Sequence, residues 1–163
     1  MFDIPRTSAA ECTEFRIGVV GFSRPEFDQT HATQLLLFAV QTCLDRFHTP
    51  LDQVVMVSGL TNVGMPRIAY LYATEHGIGT VGIAAERALL HPSGLWPVDL
   101  QIIEGLDFGD ESRCFTSYID CLIRIGGGTQ SRREVEMFCD RCRGERWSLA
   151  ERLIEHDLPI ALP

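Results

Sequence analysis

The sequence predicts an α/β protein: a Rossmann-like, doubly wound parallel sheet of about six strands, with helices on both faces. Three observations lead there. Short, nearly all-apolar runs rich in β-branched residues recur along the chain, as strands buried on both faces require. Longer segments with apolar residues at helical spacing separate them. Polar or glycine-bearing loops follow several of the runs, at the carboxyl ends where open α/β sheets bind ligands. At 163 residues the chain is expected to form one domain, 1–163, with residues 1–14 as an N-terminal arm.

The elements follow in order. Arg16–Val20 (RIGVV) is the first strand and ends at Gly21. Thr30–Arg46 carries apolar residues at helical spacing over several turns. Gln53–Val57 (QVVMV) is the second strand and runs into Ser58-Gly59. Met65–His76 is a helix, with Pro66 tolerated in its first turn and Gly77 just past its end. Thr80–Ala84 (TVGIA) is the third strand, and Leu89–Val98 is a loop by its prolines and glycine. Leu100–Glu104 is the fourth strand, Cys121–Ile125 the fifth and Leu158–Leu162 the sixth. Helices fill Asp110–Tyr118, Ser131–Arg141 and Leu149–His156.

Composition narrows the function classes. A net charge of −8 argues against binding nucleic-acid backbones, which needs a basic face. No apolar run approaches a membrane span, so no membrane partner is expected. All 14 basic residues are arginines. Without lysine there is no internal Schiff base for pyridoxal phosphate and no Walker-type phosphate loop. Six cysteines in apolar contexts, and no basic-then-apolar opening run, suit reduced thiols in a cytoplasm. Cys139 and Cys142 form a C-x-x-C string without a second pair, and they read as packing residues. The histidines show no ligand spacing, so no metal and no resident cofactor are expected.

Three loops sit at carboxyl ends: Gly21–Arg24, Ser58–Gly64 (SGLTNVG) and Gly126–Ser131. The last contains Gly126, Gly127 and Gly128 in a row. It feeds a helix whose first N–H groups and positive dipole end favour an anion. Tight strand-to-helix packing with no ligand accounts for the same glycines, and Gly59 and Gly64 read both ways too. Thr61 and Asn62 offer hydrogen bonds to a base or ribose, or stabilise the turn. Ser23 lies in the first loop. Arg24, Arg67, Arg132 and Arg133 are candidates for holding a phosphate.

The stretch Asp120–Glu134 (DCLIRIGGGTQSRRE) resembles the last signature of the LOG/SLOG superfamily. That superfamily of Rossmann-like proteins includes the Lonely guy phosphoribohydrolases, the "lysine decarboxylase-like" proteins and the molybdenum cofactor carriers. Its pattern is an Asp, four or five apolar residues, G-G-G or P-G-G, then x-G-T-x-x-E. Ser58–Ala69 resembles the second glycine-rich loop, and Thr80–Ile83 the strand after it. The chain departs from the pattern where Gln130-Ser131 replaces G-T.

The resemblance implies a nucleotide or nucleotide-derived ligand held by Gly21, Ser23, Gly59, Thr61, Asn62, Gly64, Gly126, Gly127, Gly128, Thr129, Gln130 and Ser131. It also implies possible hydrolysis of a nucleoside 5′-monophosphate to base and ribose 5-phosphate, through Glu134 and an arginine for which Arg113 is the nearest candidate. The alternative is a non-catalytic sensing or carrier module. Glu134 has a second reading, a capping box in which Ser131 caps the helix and Glu134 reaches back. Ser8–Glu11, Ser23–Glu26 and Ser148–Glu151 repeat that spacing. The run Leu35–Phe38 exceeds what one sheet face needs, and with the resemblance it suggests a homodimer or higher homo-oligomer.

Overall fold

In the computed structural model, which describes residues 14–145 and 148–161, eleven regular elements follow one another. They are β1 (Phe15–Gly21), α1 (Gln29–Phe47), β2 (Val54–Ser58), α2 (Gly64–His76), β3 (Gly79–Ala84), β4 (Leu100–Ile103), α3 (Ser112–Tyr118), β5 (Cys121–Ile125), α4 (Thr129–Cys142), α5 (Leu149–Arg152) and β6 (Leu153–His156). Short 3-10 turns occur at Leu51–Gln53 and Glu86–Leu90. The strands form one parallel sheet in the order β4-β3-β2-β1-β5-β6. The chain thus builds from β1 to one edge, then returns to the other side of β1 with β5 and β6. Order reverses between β1 and β5, where Gly21 stands level with Ile125.

The alternation of each strand divides the core. Ile17, Val19, Met56, Ile123 and Ile125 face α1 and α2, and pack with Leu36, Val40, Ile68 and Ala69. Val20, Val57, Val81 and Leu122 face α3 and α4, and pack with Phe115, Val135 and Phe138. Each such side chain contributes on the order of 1.5–3 kcal/mol by leaving water. Gly18 has a packing reason: a Cβ there would press on Phe115 and Ile119 of the α3 segment. Cys43 and Cys121, both fully buried, bring their Sγ atoms to 3.0 Å between α1 and β5.

The chain's end departs from expectation. The helix expected over Leu149–His156 lasts one turn, opened by a true capping box between Ser148 and Glu151. Leu153–His156 is instead the sixth strand, paired with β5 from Leu122↔Leu153 to Ile125↔His156. Leu153 packs against one core cluster and Ile154 against the other. Adjacent residues reach opposite faces in a strand but not in a helix, so the strand wins. The strand expected at Leu158–Leu162 is absent among the described residues: Leu158 joins the core and Ile160 makes a single antiparallel bridge to Phe27. Helix α3 begins at Ser112 rather than Asp110, because the Asp110 carboxylate accepts from the Leu106 and Asp107 amides and closes the preceding turn. The N-terminal arm as far as residue 13, the Ser8–Glu11 string, Cys12 and Leu162 lie outside the described residues. No described helix is long and apolar enough to cross a membrane.

Candidate functional site

A cavity of about 440 Å³ opens at the carboxyl ends of β1, β2 and β3, and the first turn of α4 forms one wall. Of the residues expected to bind, Gly21, Ser23, Gly59 and Thr61 line it from the first two loops. Gly128, Thr129, Gln130, Ser131 and Glu134 line it from α4. Asn62, Gly64, Gly126, Gly127 and Arg113 do not.

The glycines separate by role. Gly126 and Gly127 have φ of 60° and 96°, and a Cβ would run into the Phe22 ring at Gly126 or Ser131 and Gly21 at Gly127. These two carry the sharp turn out of β5. Gly128 is different: a Cβ there meets nothing within 4 Å. It is the N-cap of α4 and has no side chain to offer the helix, so the first N–H groups of α4 are left to whatever enters the cavity. Gly64, at φ 66°, lets its backbone meet Phe22 O, and Met65 N–H donates to that same oxygen at 2.7 Å. The start of α2 is thereby clipped to the loop after β1.

Two buried side chains hold these loops. Arg124 of β5 donates to Gly126 O (2.9 Å), Glu155 Oε1 (2.7 Å) and Asp157 Oδ1 (2.9 Å). Tyr70 of α2 accepts from Ser58 N–H at 3.1 Å, and its hydroxyl reaches Gly59 O (2.8 Å) and Val81 O (3.0 Å). Burial holds its phenol well above the ordinary tyrosine range.

Glu134 is not a cap. Ser131 Oγ donates to Gly128 O at 3.0 Å, and Glu134 lies one turn inside the helix with only 6% of its surface exposed. Its Oε1 accepts from Ser112 Oγ (2.8 Å) and from Gln130 Nε2 (3.2 Å). Burial pushes this carboxyl up to about 7, against the pull of those two hydrogen bonds and with the help of the neighbouring Glu111 charge. Such a group takes and gives a proton near neutrality.

Sequence reading missed Glu111. It also lines the cavity and is 6% exposed. Its Oε2 accepts from Gly109 N–H (2.8 Å) and its Oε1 from Gln130 Nε2 (3.0 Å). The only signal was the polar string Gly109–Ser112 at the carboxyl side of β4. His91 and Phe108 were likewise not singled out, and they also line the cavity. Arg113 is exposed on α3 and does not line the cavity. Arg24 does line it. Arg132 instead faces Asp157 at 3.5 Å, and Arg67 and Arg133 are exposed outside the cavity. Cys139 and Cys142 are free thiols near the end of α4, and Cys142 packs in the core.

No family model and no curated protein matches this chain at a significant level. Among solved structures, the molybdenum cofactor carrier protein from Chlamydomonas reinhardtii is similar, with a TM-score of 0.58 and 19% identity over 78% of this chain and 72% of that one. TM1055 is similar with a TM-score of 0.54 and 18% identity, over 88% and 91% of the two chains. Both likenesses are of fold, a Rossmann-like parallel α/β sheet. In this fold the cavity sits beside the point where strand order reverses, as ligand sites of open α/β sheets do.

Proposed function

We propose that the protein binds a nucleotide or nucleotide-derived phosphate ester and hydrolyses the N-glycosidic bond of a nucleoside 5′-monophosphate. The observation that carries this reading is Glu134, a buried carboxyl poised near neutrality on the wall of a cavity that also holds an uncapped helix N-terminus. The phosphate is placed against the amides of Thr129–Ser131, with Ser23 and Arg24 across from it. The sugar then lies toward Glu134. As the C1′–N bond breaks, its electron pair goes to the base. Glu134 takes a proton from the water that attacks C1′ and passes it to the departing base, which leaves neutral beside ribose 5-phosphate, with Glu134 ionised again.

A second reading is a carrier or sensor that binds without chemistry. The exposed position of Arg113 favours it, since no arginine from α3 joins Glu134. So does the likeness to a molybdenum cofactor carrier. One experiment separates the two. Purified protein is incubated with a mixed pool of nucleoside 5′-monophosphates and free base is measured by chromatography. Release by wild type that falls at least about a hundredfold in Glu134→Gln supports the hydrolase. No release, with a nucleotide raising the melting temperature, supports the carrier.

A homodimer through α1 belongs to the same proposal. Leu37 and Phe38 are 52% and 64% exposed on one helix face. A dimer mass in sedimentation that Phe38→Glu converts to monomer would support it, and a monomeric wild type would exclude it.

A further inference from the structure

Glu134 is held by a construction that the family pattern does not contain. Where the pattern has a glycine, this chain has Gln130, and its single side-chain nitrogen donates to two carboxylates at once, Glu111 Oε1 at 3.0 Å and Glu134 Oε1 at 3.2 Å. Glu111 is fixed at its other oxygen by Gly109 N–H. Glu134 Oε1 is also taken by Ser112 Oγ–H. Both hydrogen bonds of Glu134 therefore fall on Oε1, which leaves Oε2 outside them on a residue that lines the cavity.

We propose that Glu111 and Gln130 are positioning residues: Glu111, anchored on the Gly109 amide, fixes the Gln130 side chain, which holds Glu134 with Oε2 turned to the ligand. The inference rests on the reading of Glu134 as the proton-handling group of the site. The bridge does more than orient. A neutral amide between two buried carboxyls lets them sit together without a cation, and their mutual repulsion favours a single negative charge for the pair. Glu134 then keeps a proton toward neutral pH, where a lone surface glutamate would have none. Burial raises Glu134, Ser112 and Gln130 lower it by hydrogen bonding, and the Glu111 charge raises it again. Across the cavity the other charged or titratable groups are Arg24, from the loop after β1, and His91.

The test reads Glu134 itself and needs no turnover. The whole chain is labelled with 13C at glutamate side-chain carboxyls, Glu134 is assigned by the signal lost in Glu134→Gln, and its titration is followed by NMR from about pH 4 to about pH 9. Wild type is expected to titrate near 7. Glu111→Gln removes the neighbouring charge and moves the midpoint down, by on the order of one pH unit. Gln130→Met removes a hydrogen bond to the ionised form and moves it up. Opposite shifts in two variants of similar side-chain size are what a merely structural role does not produce. Equal midpoints in all three proteins, or a wild-type midpoint near 4.5, overturn the proposal, whatever happens to the melting temperature. Should Glu111→Gln fail to fold, Gln130→Met, at an exposed position, decides alone. Base release plays no part in this readout: its absence sinks the hydrolase reading only.

Discussion

Gly127 and Gly128 are neighbours in the chain and opposites in the structure. Behind them, toward β5, the loop is closed: Gly127 is in the left-handed region against Ser131 and Gly21, and buried Arg124 grips Gly126 O while meeting two acids. Ahead of them, toward α4, the loop is open. Gly128 has space around its Cα, the helix start has no side-chain cap, and buried Glu134 is met only by neutral donors. One side resolves its buried charge with opposite charge and is finished. The other keeps a carboxyl whose ionisation is undecided at neutral pH. A run of glycines can therefore combine a backbone requirement with a binding requirement, and the two meet between residues 127 and 128.

That contrast can be broken by substitution. The largest effect is expected from Gly127→Ala, which forces an alanine to positive φ and into a neighbouring backbone; it should lose roughly 3–4 kcal/mol in denaturant unfolding. Next is the pH dependence set by Glu134. Its folded-state value of about 7 lies above the ordinary 4.5, so the native state binds the proton more tightly than the unfolded chain. The associated stability is fully present below about 4.5 and is lost as pH rises through about 7, a change on the order of 3 kcal/mol. Glu134→Gln, neutral throughout, should flatten this slope when unfolding is compared at about pH 5 and about pH 8.

Smaller effects sharpen the comparison. Arg124→Ala should cost about 2 kcal/mol, mainly from the Gly126 carbonyl left without a donor and the space vacated. Its two acids are 40% and 78% exposed and can return to water. Gly128→Ala should change stability least, by within about 0.5 kcal/mol. It should still weaken binding of a nucleoside monophosphate by roughly tenfold in calorimetry, because the added methyl enters the approach to the α4 amides. If Gly127→Ala and Gly128→Ala lose equal stability, the division between the two glycines fails.

Much of the architecture was legible because it rests on local pattern. The largely apolar strands β1, β2, β3 and β5 and the long helices α1, α2 and α4 have boundaries within one or two residues of expectation. The end of the chain after α4 was harder: LIEH is half polar and LPIAL is the more apolar run, and only the neighbouring β5 selects the first as the sixth strand. In the site, Glu134 was reachable through a sequence pattern, yet its alternative as a cap fell only when Ser112 was seen to hold it. Glu111 was invisible for a physical reason. It depends on α3 packing beside α4, which brings residues more than twenty positions apart onto one carboxyl pair through Gln130. Nor does a string of three glycines say which of them faces a ligand.

Tyr70 gives the molecule a built-in spectroscopic marker. It is one of three tyrosines, it is fully buried, and its hydroxyl ties the β2 and β3 ends together under the cavity floor. Burial holds its proton well above the ordinary tyrosine range, so its share of the ultraviolet phenolate band should rise when the chain opens. Tyr72 is raised by burial as well, so the part of the late step in an alkaline titration that is lost in Tyr70→Phe reports opening at the ends of β2 and β3, from a chromophore the protein already carries.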